Sequence, residues 1–270
     1  MIRVVFMRNL RHRARLLLAL SLGLGVAELL FIQVAGALES GPGLQGVVRM
    51  MPPAIQSVFG QQLTLASFGA AVAFGFQHPA ILMAALAFVV VACTIPPAER
   101  ETGVMELILA RPIPRAHYLL GAFATAVVGA VMIPAALLTA CVVGLAIVDA
   151  PGQLSWDRYV MSAVGMTALL LAFAGIALML GARAARRGVA VPRTVGLILT
   201  LYLVDVFAER LAWLGWLRWA SPFHYFRPIR SAVFGETPIE HLIVLVAVCA
   251  LMTTVAFVRF GRGDTSGGRW

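Results

Sequence analysis

Two carboxylic acids of this sequence lie inside long apolar runs, where a charge is costly. Glu28 stands near the middle of the run 16–38, and Asp205 stands towards the end of the run 190–209. A charge at the centre of a bilayer costs about 2.5–3.5 kcal/mol on insertion scales, so acids found there are candidates for a translocation path. Glu28 is the stronger candidate, because Asp205 is close enough to its run's end to reach headgroup water or Arg210.

The residues that usually carry enzymatic or metal chemistry are scattered. The chain has three cysteines, each inside an apolar run, and five histidines without a shared spacing. No zinc motif H-E-x-x-H and no nucleophile motif G-x-S-x-G occurs. All 21 basic residues are arginines, so the chain lacks the lysine that a P-loop requires. We predict that this chain is not an enzyme and itself binds no metal or cofactor.

Charge and proline are concentrated in the segment 96–115, which reads PPAERETGVMELILARPIPR. The first two prolines end an apolar run. Thr102 is a predicted N-cap for a short helix, with Glu99 and Glu101 at the positive end of the helix dipole. The later prolines end that helix. A short acidic helix held between two apolar runs favours a docking element over a plain connection.

The composition identifies lipid as the solvent for much of the chain. Of the 270 residues, 61% are hydrophobic and 12% are charged, and the mean hydropathy is +0.92. Soluble domains have about half apolar and about a quarter charged residues. The net charge of +9 comes from arginines that flank apolar runs, as expected for anchors against anionic lipid rather than for a nucleic-acid surface.

Six runs approach the ~20 residues that a membrane-spanning helix needs. They predict an all-α protein with a single transmembrane domain, 1–270. The predicted spans are 16–38, 79–97, 118–148, 159–182, 190–209 and 240–260. The apolar segment 63–76 is short for a crossing, so we expect it to be interfacial or re-entrant on the outer side.

The arginines predict the orientation of the spans. With six spans, fifteen arginines lie on the side of the two termini and six lie on the other side. Positive charge marks the cytoplasmic side, so both termini are predicted to be cytoplasmic.

The first fifteen residues have the pattern of a basic amphipathic helix. Phe6 and Leu10 recur four residues apart, and Arg8 and Arg11 fall mostly on the opposite face. Such a helix is expected to lie on the inner leaflet and to lead into the first span, either as an anchor alone or as a contact surface.

Three tryptophans, Trp213, Trp216 and Trp219, follow the fifth span at three-residue spacing. Tryptophan is enriched at membrane–water interfaces, so these residues predict an interfacial belt at the outer surface. An outer gate or re-entrant element is the alternative.

The segment after the second span resembles the signature of permeases of type-2 ATP-binding-cassette (ABC) exporters. That signature is close to E-x-E-x-G-T-L-x-x-L-L-x-x-P-[IV]-S-R. The matching residues are Glu99, Glu101, Gly103, Leu107, Leu109, Pro112, Ile113 and Arg115. The chain departs from the signature at Val104, where the family usually has Thr, and at Pro114, where it usually has Ser. The order of elements along the whole chain also resembles this family.

The resemblance implies a coupling helix that docks on a separate cytoplasmic ABC ATPase subunit, which binds ATP and Mg²⁺. The implied coupling residues are Glu99, Arg100, Glu101, Thr102, Gly103, Glu106 and Arg115. The N-terminal helix would contact the same subunit through Phe6, Arg8, Leu10 and Arg11. The implied complex holds two ATPase copies and a second permease subunit, as a homodimer or a heterodimer, in a bacterial inner membrane.

Two other classes of function stay open at this point. A transporter driven by an ion gradient would use Glu28, but such proteins usually show inverted repeats and several ionisable groups in the membrane. A membrane-embedded enzyme would need a catalytic constellation, which the scattered histidines do not form.

Overall fold

The computed structural model describes residues 2–40, 46, 50, 52, 67–110, 115–150 and 153–261, and the regular elements of these residues are all helical. The α-helices are α1 (Ile2–Ser40), α2 (Phe68–Gln77), α3 (Pro79–Cys93), α4 (Ile95–Glu101), α5 (Val104–Leu109), α6 (Arg115–Ile147), α7 (Val160–Ala182), α8 (Arg187–Ala208), α9 (Pro228–Phe234) and α10 (Ile239–Gly261). Short 3-10 helices cover Trp156–Tyr159, Ala212–Ala220 and Pro222–Tyr225.

Six helical segments of the described chain are long and apolar enough to cross a bilayer, which confirms the predicted all-α membrane fold. They are Arg3–Glu39, Phe68–Cys93, Arg115–Ile147, Trp156–Ala182, Arg187–Ala208 and Ile239–Gly261. At 1.5 Å per residue, even the shortest exceeds the ~30 Å thickness of the hydrocarbon core.

The N-terminal helix is not separate from the first span, in contrast to the predicted boundary at residue 15. α1 runs without a break for 39 residues. No glycine or proline occurs before Gly23, so nothing in this stretch interrupts the helix. A helix of this length spans about 58 Å, so α1 must extend beyond the apolar layer or tilt strongly within it.

The second span begins earlier than the predicted residue 79. The described part of segment 63–76 forms α2, whose first turn is capped by the Ser67 hydroxyl. Phe68 and Phe76 are fully buried within the protein, whereas an interfacial helix would leave an apolar face to lipid. α2 and α3 meet at His78, where Pro79 starts the next helix, and together they form one span. The rest of that segment, 63–66, lies outside the described residues.

The spans pack around α7, which contacts α3, α6, α8, α9 and α10. α1 lies along α6 on one side of this core. Gly175 is needed for the close approach of α7 and α10, because a Cβ there would come within 2.8 Å of the Cys249 carbonyl oxygen. Within α10 only Leu245, Ala256 and Phe260 are buried, so most of that helix is left to lipid or to another subunit.

The bundle has two distinct ends. We call one the basic end: it holds the N-terminal turns of α1, the helices α4 and α5, and the turn 183–186. At the opposite end, α9 packs near the start of α7, where the Ser162 hydroxyl donates to the Pro228 carbonyl at 3.2 Å. The arginine distribution predicts that the basic end is cytoplasmic.

Candidate functional site

The segment 95–109 at the basic end forms two short helices joined by a tight turn. α4 starts at Ile95 because Pro96 and Pro97 fit the first turn of a helix, where a missing N–H costs nothing. α4 ends at Glu101, and Thr102 follows as its C-cap. Gly103 then adopts a left-handed conformation with φ of 72°, which favours glycine, and α5 follows.

The predicted N-cap role of Thr102 is wrong. The Thr102 hydroxyl donates to the carbonyls of Ala98 and Glu99, both at 3.3 Å, and so closes the end of α4. Glu99 and Glu101 consequently lie in the last turn of a helix instead of the first. Both carboxylates accept hydrogen bonds from donors in other parts of the chain.

Glu99 joins α4 to two spans. Arg8 of α1 donates to Glu99 Oε1 at 2.5 Å, and the Tyr118 hydroxyl of α6 donates to Oε2 at 2.5 Å. Both carboxylate oxygens are thus occupied, one by a charged donor and one by a neutral donor. The contact fixes the N-terminal part of α1 to the segment between the second and third spans.

Arg100 joins α4 to the end of α7. Its guanidinium donates to the Ala184 carbonyl at 2.7 Å and to the Ala182 carbonyl at 3.4 Å. A cation is favoured there by the partial negative charge of a helix C-terminus. Burial lowers the pKa of Arg100 from its usual value, and the nearby Tyr118 acts in the opposite sense.

Glu101 joins α4 to the start of α8. Its Oε2 accepts from the backbone N–H of Arg187 at 3.1 Å, at the first residue of that helix. A carboxylate at a helix N-terminus satisfies a backbone donor that has no partner within the helix.

Three consecutive side chains therefore fasten the loop to four spans. Successive residues of a helix are rotated by about 100°, so Glu99, Arg100 and Glu101 point in three directions. They reach α1 and α6, α7, and α8 respectively. We call this set of contacts the anchoring triad.

The outward surface of this segment is partly apolar. On α5, Leu107 is 74% exposed and Val104 and Glu106 are exposed, whereas Met105 is buried against the bundle. Thr102 is also exposed. Arg115 begins α6, and residues 111–114, which carry the Pro112 and Ile113 matches, lie outside the described residues.

The N-terminal residues divide between the bundle and the surface. Phe6 and Leu10 are half-buried, Arg8 is held by Glu99, and Arg11 is exposed. Arg13 donates to the Val91 carbonyl at 3.1 Å and so fixes α1 to the end of α3. The proposed role of these residues in binding a partner stays a prediction.

Glu28 lies in a closed interior position rather than in an open cleft. It is 0% exposed, and neither carboxylate oxygen has a hydrogen-bond partner among the described residues. A Cβ atom added at Gly75 of α2 would overlap the carboxyl group, so Glu28 fills the space that this glycine leaves. Its role in a translocation path stays a prediction.

Asp205 faces a cleft at the opposite end of the bundle. Its Oδ1 lies 3.6 Å from Arg218 Nε, whereas the sequence suggested Arg210 as its neighbour. The cleft has a volume of about 250 Å³ and lies between the end of α8, the α2–α3 junction and the segment 222–226. The outer cluster of charges around Asp205 was not predicted as a unit.

The three tryptophans share one edge of the 3-10 helix Ala212–Ala220. A 3-10 helix has three residues per turn, so the spacing of Trp213, Trp216 and Trp219 aligns them. All three are exposed, and Trp219 also packs against the His224 ring at a centroid distance of 4.8 Å. Their role as an interfacial belt stays a prediction.

His224 is held in its neutral form by its neighbours. Arg227 Nη2 lies 3.1 Å from His224 Nδ1, and because arginine can only donate, Nδ1 must be the acceptor. Burial and then the charges of Arg227 and Arg218 lower the pKa of His224 to about 4. The carboxylate of Asp205, 3.9 Å from Nδ1, does not reverse this shift.

This shift predicts a loss of stability in acid. In the unfolded chain the histidine pKa is about 6.5, so between pH 6.5 and 4 the unfolded state binds a proton that the folded state does not. The contribution of His224 is therefore complete above pH 6.5 and falls as the pH drops to 4. Thermal scans should show a smaller fall in Tm from pH 7 to 4.5 for His224→Gln than for the unaltered protein. The exposed His12→Gln serves as control, and equal slopes for all three proteins would contradict the assignment.

Sequence reasoning found the segment 99–115 but missed its partners. Tyr118, the carbonyls of Ala182 and Ala184, and the N–H of Arg187 carry no local signal that links them to α4. Within the described part of the chain, no group of three or more His, Cys, Asp or Glu side chains is placed to hold a metal ion.

Comparison with known families gives one match over nearly the whole chain. The family model described as "ABC-2 family transporter protein" matches residues 13–265. This range covers the six spans apart from the first turns of α1, and it contains Glu99, Arg100 and Glu101. No curated protein matches the chain.

Proposed function

The chain belongs to the ABC-2 family of transporter proteins, and from that premise we propose that it is the permease subunit of an ATP-driven exporter. A separate cytoplasmic ABC ATPase subunit holds ATP and Mg²⁺, because a chain without lysine cannot form a P-loop. Two such ATPase copies and a second permease subunit complete the complex in a bacterial inner membrane. The segment 99–115 is its coupling element.

The observation that supports this proposal most directly is the anchoring triad. A connection that only joined α3 to α6 would not need Glu99, Arg100 and Glu101 to bind groups of three further spans, α1, α7 and α8, as well. A segment that transmits force to the membrane helices does need rigid attachment to them. The half-buried contacts of Glu99 and Arg100 provide such attachment because breaking one leaves an unpaired charge, and the exposed contact of Glu101 adds a third direction.

The proposed docking surface is the outward face of α5. Leu107 projects from the bundle with Val104 and Glu106 beside it, while Met105 anchors the opposite face of the helix. An exposed apolar side chain rimmed by polar residues is typical of the centre of a protein interface. A push on α5 passes through the Thr102–Gly103 turn to α4 and from there to the spans.

The N-terminal part of α1 belongs to the same proposed interface. Arg8 is fixed by Glu99, and Arg11 and His12 remain exposed next to it. Their positive charge complements an acidic surface on a partner. A movement of α5 would be transmitted to α1 through α4 and the Arg8–Glu99 contact.

The family match favours this proposal over a transporter driven by an ion gradient. Such a transporter would have no use for an anchored loop with an exposed apolar residue. Glu28 therefore enters the proposal as a candidate path residue of an ATP-driven permease.

The docking surface can be tested with Leu107→Glu. The chain is co-expressed with candidate ABC ATPase subunits and purified through a tag on this chain. Full burial of a leucine contributes about 1.5–3 kcal/mol, so the ATPase affinity should fall at least about tenfold. Co-purified ATPase and ATP hydrolysis per complex are the measurements.

Phe234→Glu is the matched control, since Phe234 is a 57% exposed apolar residue at the opposite end of the bundle. It should retain the ATPase. Equal ATPase recovery with both variants would exclude α5 as the docking surface, and the absence of any co-purifying ATPase from native membranes would exclude the ATP-driven permease.

A further inference from the structure

The cleft at the end opposite the basic end combines charges of both signs with an apolar floor. Asp205 and Glu209 lie one helical turn apart at the end of α8, and Arg210 follows directly. Phe74 and Phe226 form part of the apolar lining. The cleft thus offers a polar rim beside aromatic surface.

One arginine, Arg218, forms ion pairs with both carboxylates of this cleft. Arg218 lies 3.6 Å from Asp205 Oδ1 and 3.5 Å from Glu209 Oε1. The contact to Asp205 is too long for a hydrogen bond, and both Asp205 Oδ1 and Arg218 Nε are buried without a partner among the described residues. The two buried atoms face each other as an ion pair, so Arg218 holds the Asp205 carboxylate at the edge of the cleft.

The lining of the cleft is partly apolar beside its charged rim. Phe74 and Val206 line it and are partly exposed. Such side chains are suited to contact with the first part of an acyl chain. A cleft of about 250 Å³ is at the small end of ligand pockets, so it can take a head group but not a whole lipid.

We propose that this cleft binds the head group of a zwitterionic amphiphile that carries a primary ammonium and a phosphate. The ammonium donates to Asp205 and Glu209, and the phosphate accepts from Arg210, since all three side chains line the cleft. The acyl chains begin along Phe74 and Val206 of the same lining. A quaternary ammonium fits less well because it has no N–H to donate. This inference does not depend on the ATPase partner.

The test is lipid retention by the purified full-length protein, measured by native mass spectrometry. Phosphatidylethanolamine, phosphatidylcholine and phosphatidylglycerol are supplied at equal concentration. Phosphatidylethanolamine should be retained about tenfold more tightly than either other lipid, and the double variant Asp205→Asn/Glu209→Gln should remove that preference. Equal retention of all three lipids would mean that the cleft does not recognise the head group, and it would overturn the proposal.

A matched control is the exposed ion pair of Arg230 and Glu236, 3.2 Å apart, which lies outside the cleft. The double variant Arg230→Gln/Glu236→Gln should keep the preference. If the cleft variant proves unstable, Arg210→Gln offers a second test, because this exposed arginine can be replaced without leaving a buried charge unpaired.

Competition with the free head group distinguishes binding through the head group from binding through the acyl chains. Free phosphoethanolamine should displace the bound lipid when the head group carries the recognition. Failure to displace it, even at high concentration, would assign the binding to the acyl chains and would also overturn the proposal.

Discussion

A protein carrying Glu99→Ala is expected to lose about 2 kcal/mol of stability and to uncouple from its ATPase. The change removes the carboxylate that accepts from Arg8 and from Tyr118, and it leaves the Tyr118 hydroxyl without its partner. Hydrogen bonds to a charged group contribute about 1.5–3 kcal/mol each, but Arg8 is partly exposed, so solvent screening reduces its share. Thermal scans measure the stability, and ATP hydrolysis by the complex measures the coupling.

Glu106→Ala is the matched control for stability, since Glu106 is an exposed acid seven residues further along the same segment. Its stability should change by no more than about 0.5 kcal/mol. Tyr118→Phe should lie between the two, because it removes only one of the two contacts. The anchoring triad would lose its support if Glu99→Ala were as stable as Glu106→Ala.

A cycle of Arg8→Gln and Glu99→Gln isolates the contact between α1 and α4. The coupling energy between the two changes should be clearly non-zero, since their side chains touch. ATP hydrolysis responds only if this contact also transmits movement, which separates a coupling role from a purely structural one.

Replacing Glu28 with leucine is expected to stabilise the protein by about 1–3 kcal/mol. The carboxyl group is fully buried, and its two oxygens have no hydrogen-bond partner among the described residues. Leucine has a similar volume and brings no polar group into the interior, so the cost of burying an unsatisfied group is removed. The measurement is Tm in a thermal scan, together with ATP hydrolysis by the complex.

Glu28→Gln is the control, because it keeps the shape and leaves a polar amide in the same position. It should gain little or no stability. Higher stability with lost activity in Glu28→Leu would support a role for Glu28 in transport, since functional sites often retain groups that cost stability. Lower stability in Glu28→Leu would instead mean that the carboxyl group makes a favourable contact in the folded protein.

The local predictions that held rest on strong, short-range patterns. Long apolar runs must be helical in lipid because their backbone groups have no other partner, so the six spans could be read from hydropathy. The three-residue spacing of Trp213, Trp216 and Trp219 likewise matches the period of the 3-10 helix that carries them. Both features depend on neighbours within one segment.

The predictions that failed concern where helices begin and end. Thr102 has the chemistry of an N-cap, but Pro96 and Pro97 start α4 earlier, so this threonine falls at its end. α2 was too short to be recognised as part of a span, because its continuation beyond Pro79 depends on how the two helices pack. Boundary signals of equal strength compete, and packing decides between them.

The membrane location, the six membrane-spanning helices and the distinctive segment 99–115 all follow from the amino-acid sequence. The way in which that segment is held follows from the packing of the helices. Glu99 meets Arg8 and Tyr118 across 91 and 19 residues of chain. Such pairings follow from the packing of α1, α4 and α6 against one another, because charge pairs distant in sequence carry no periodic signal.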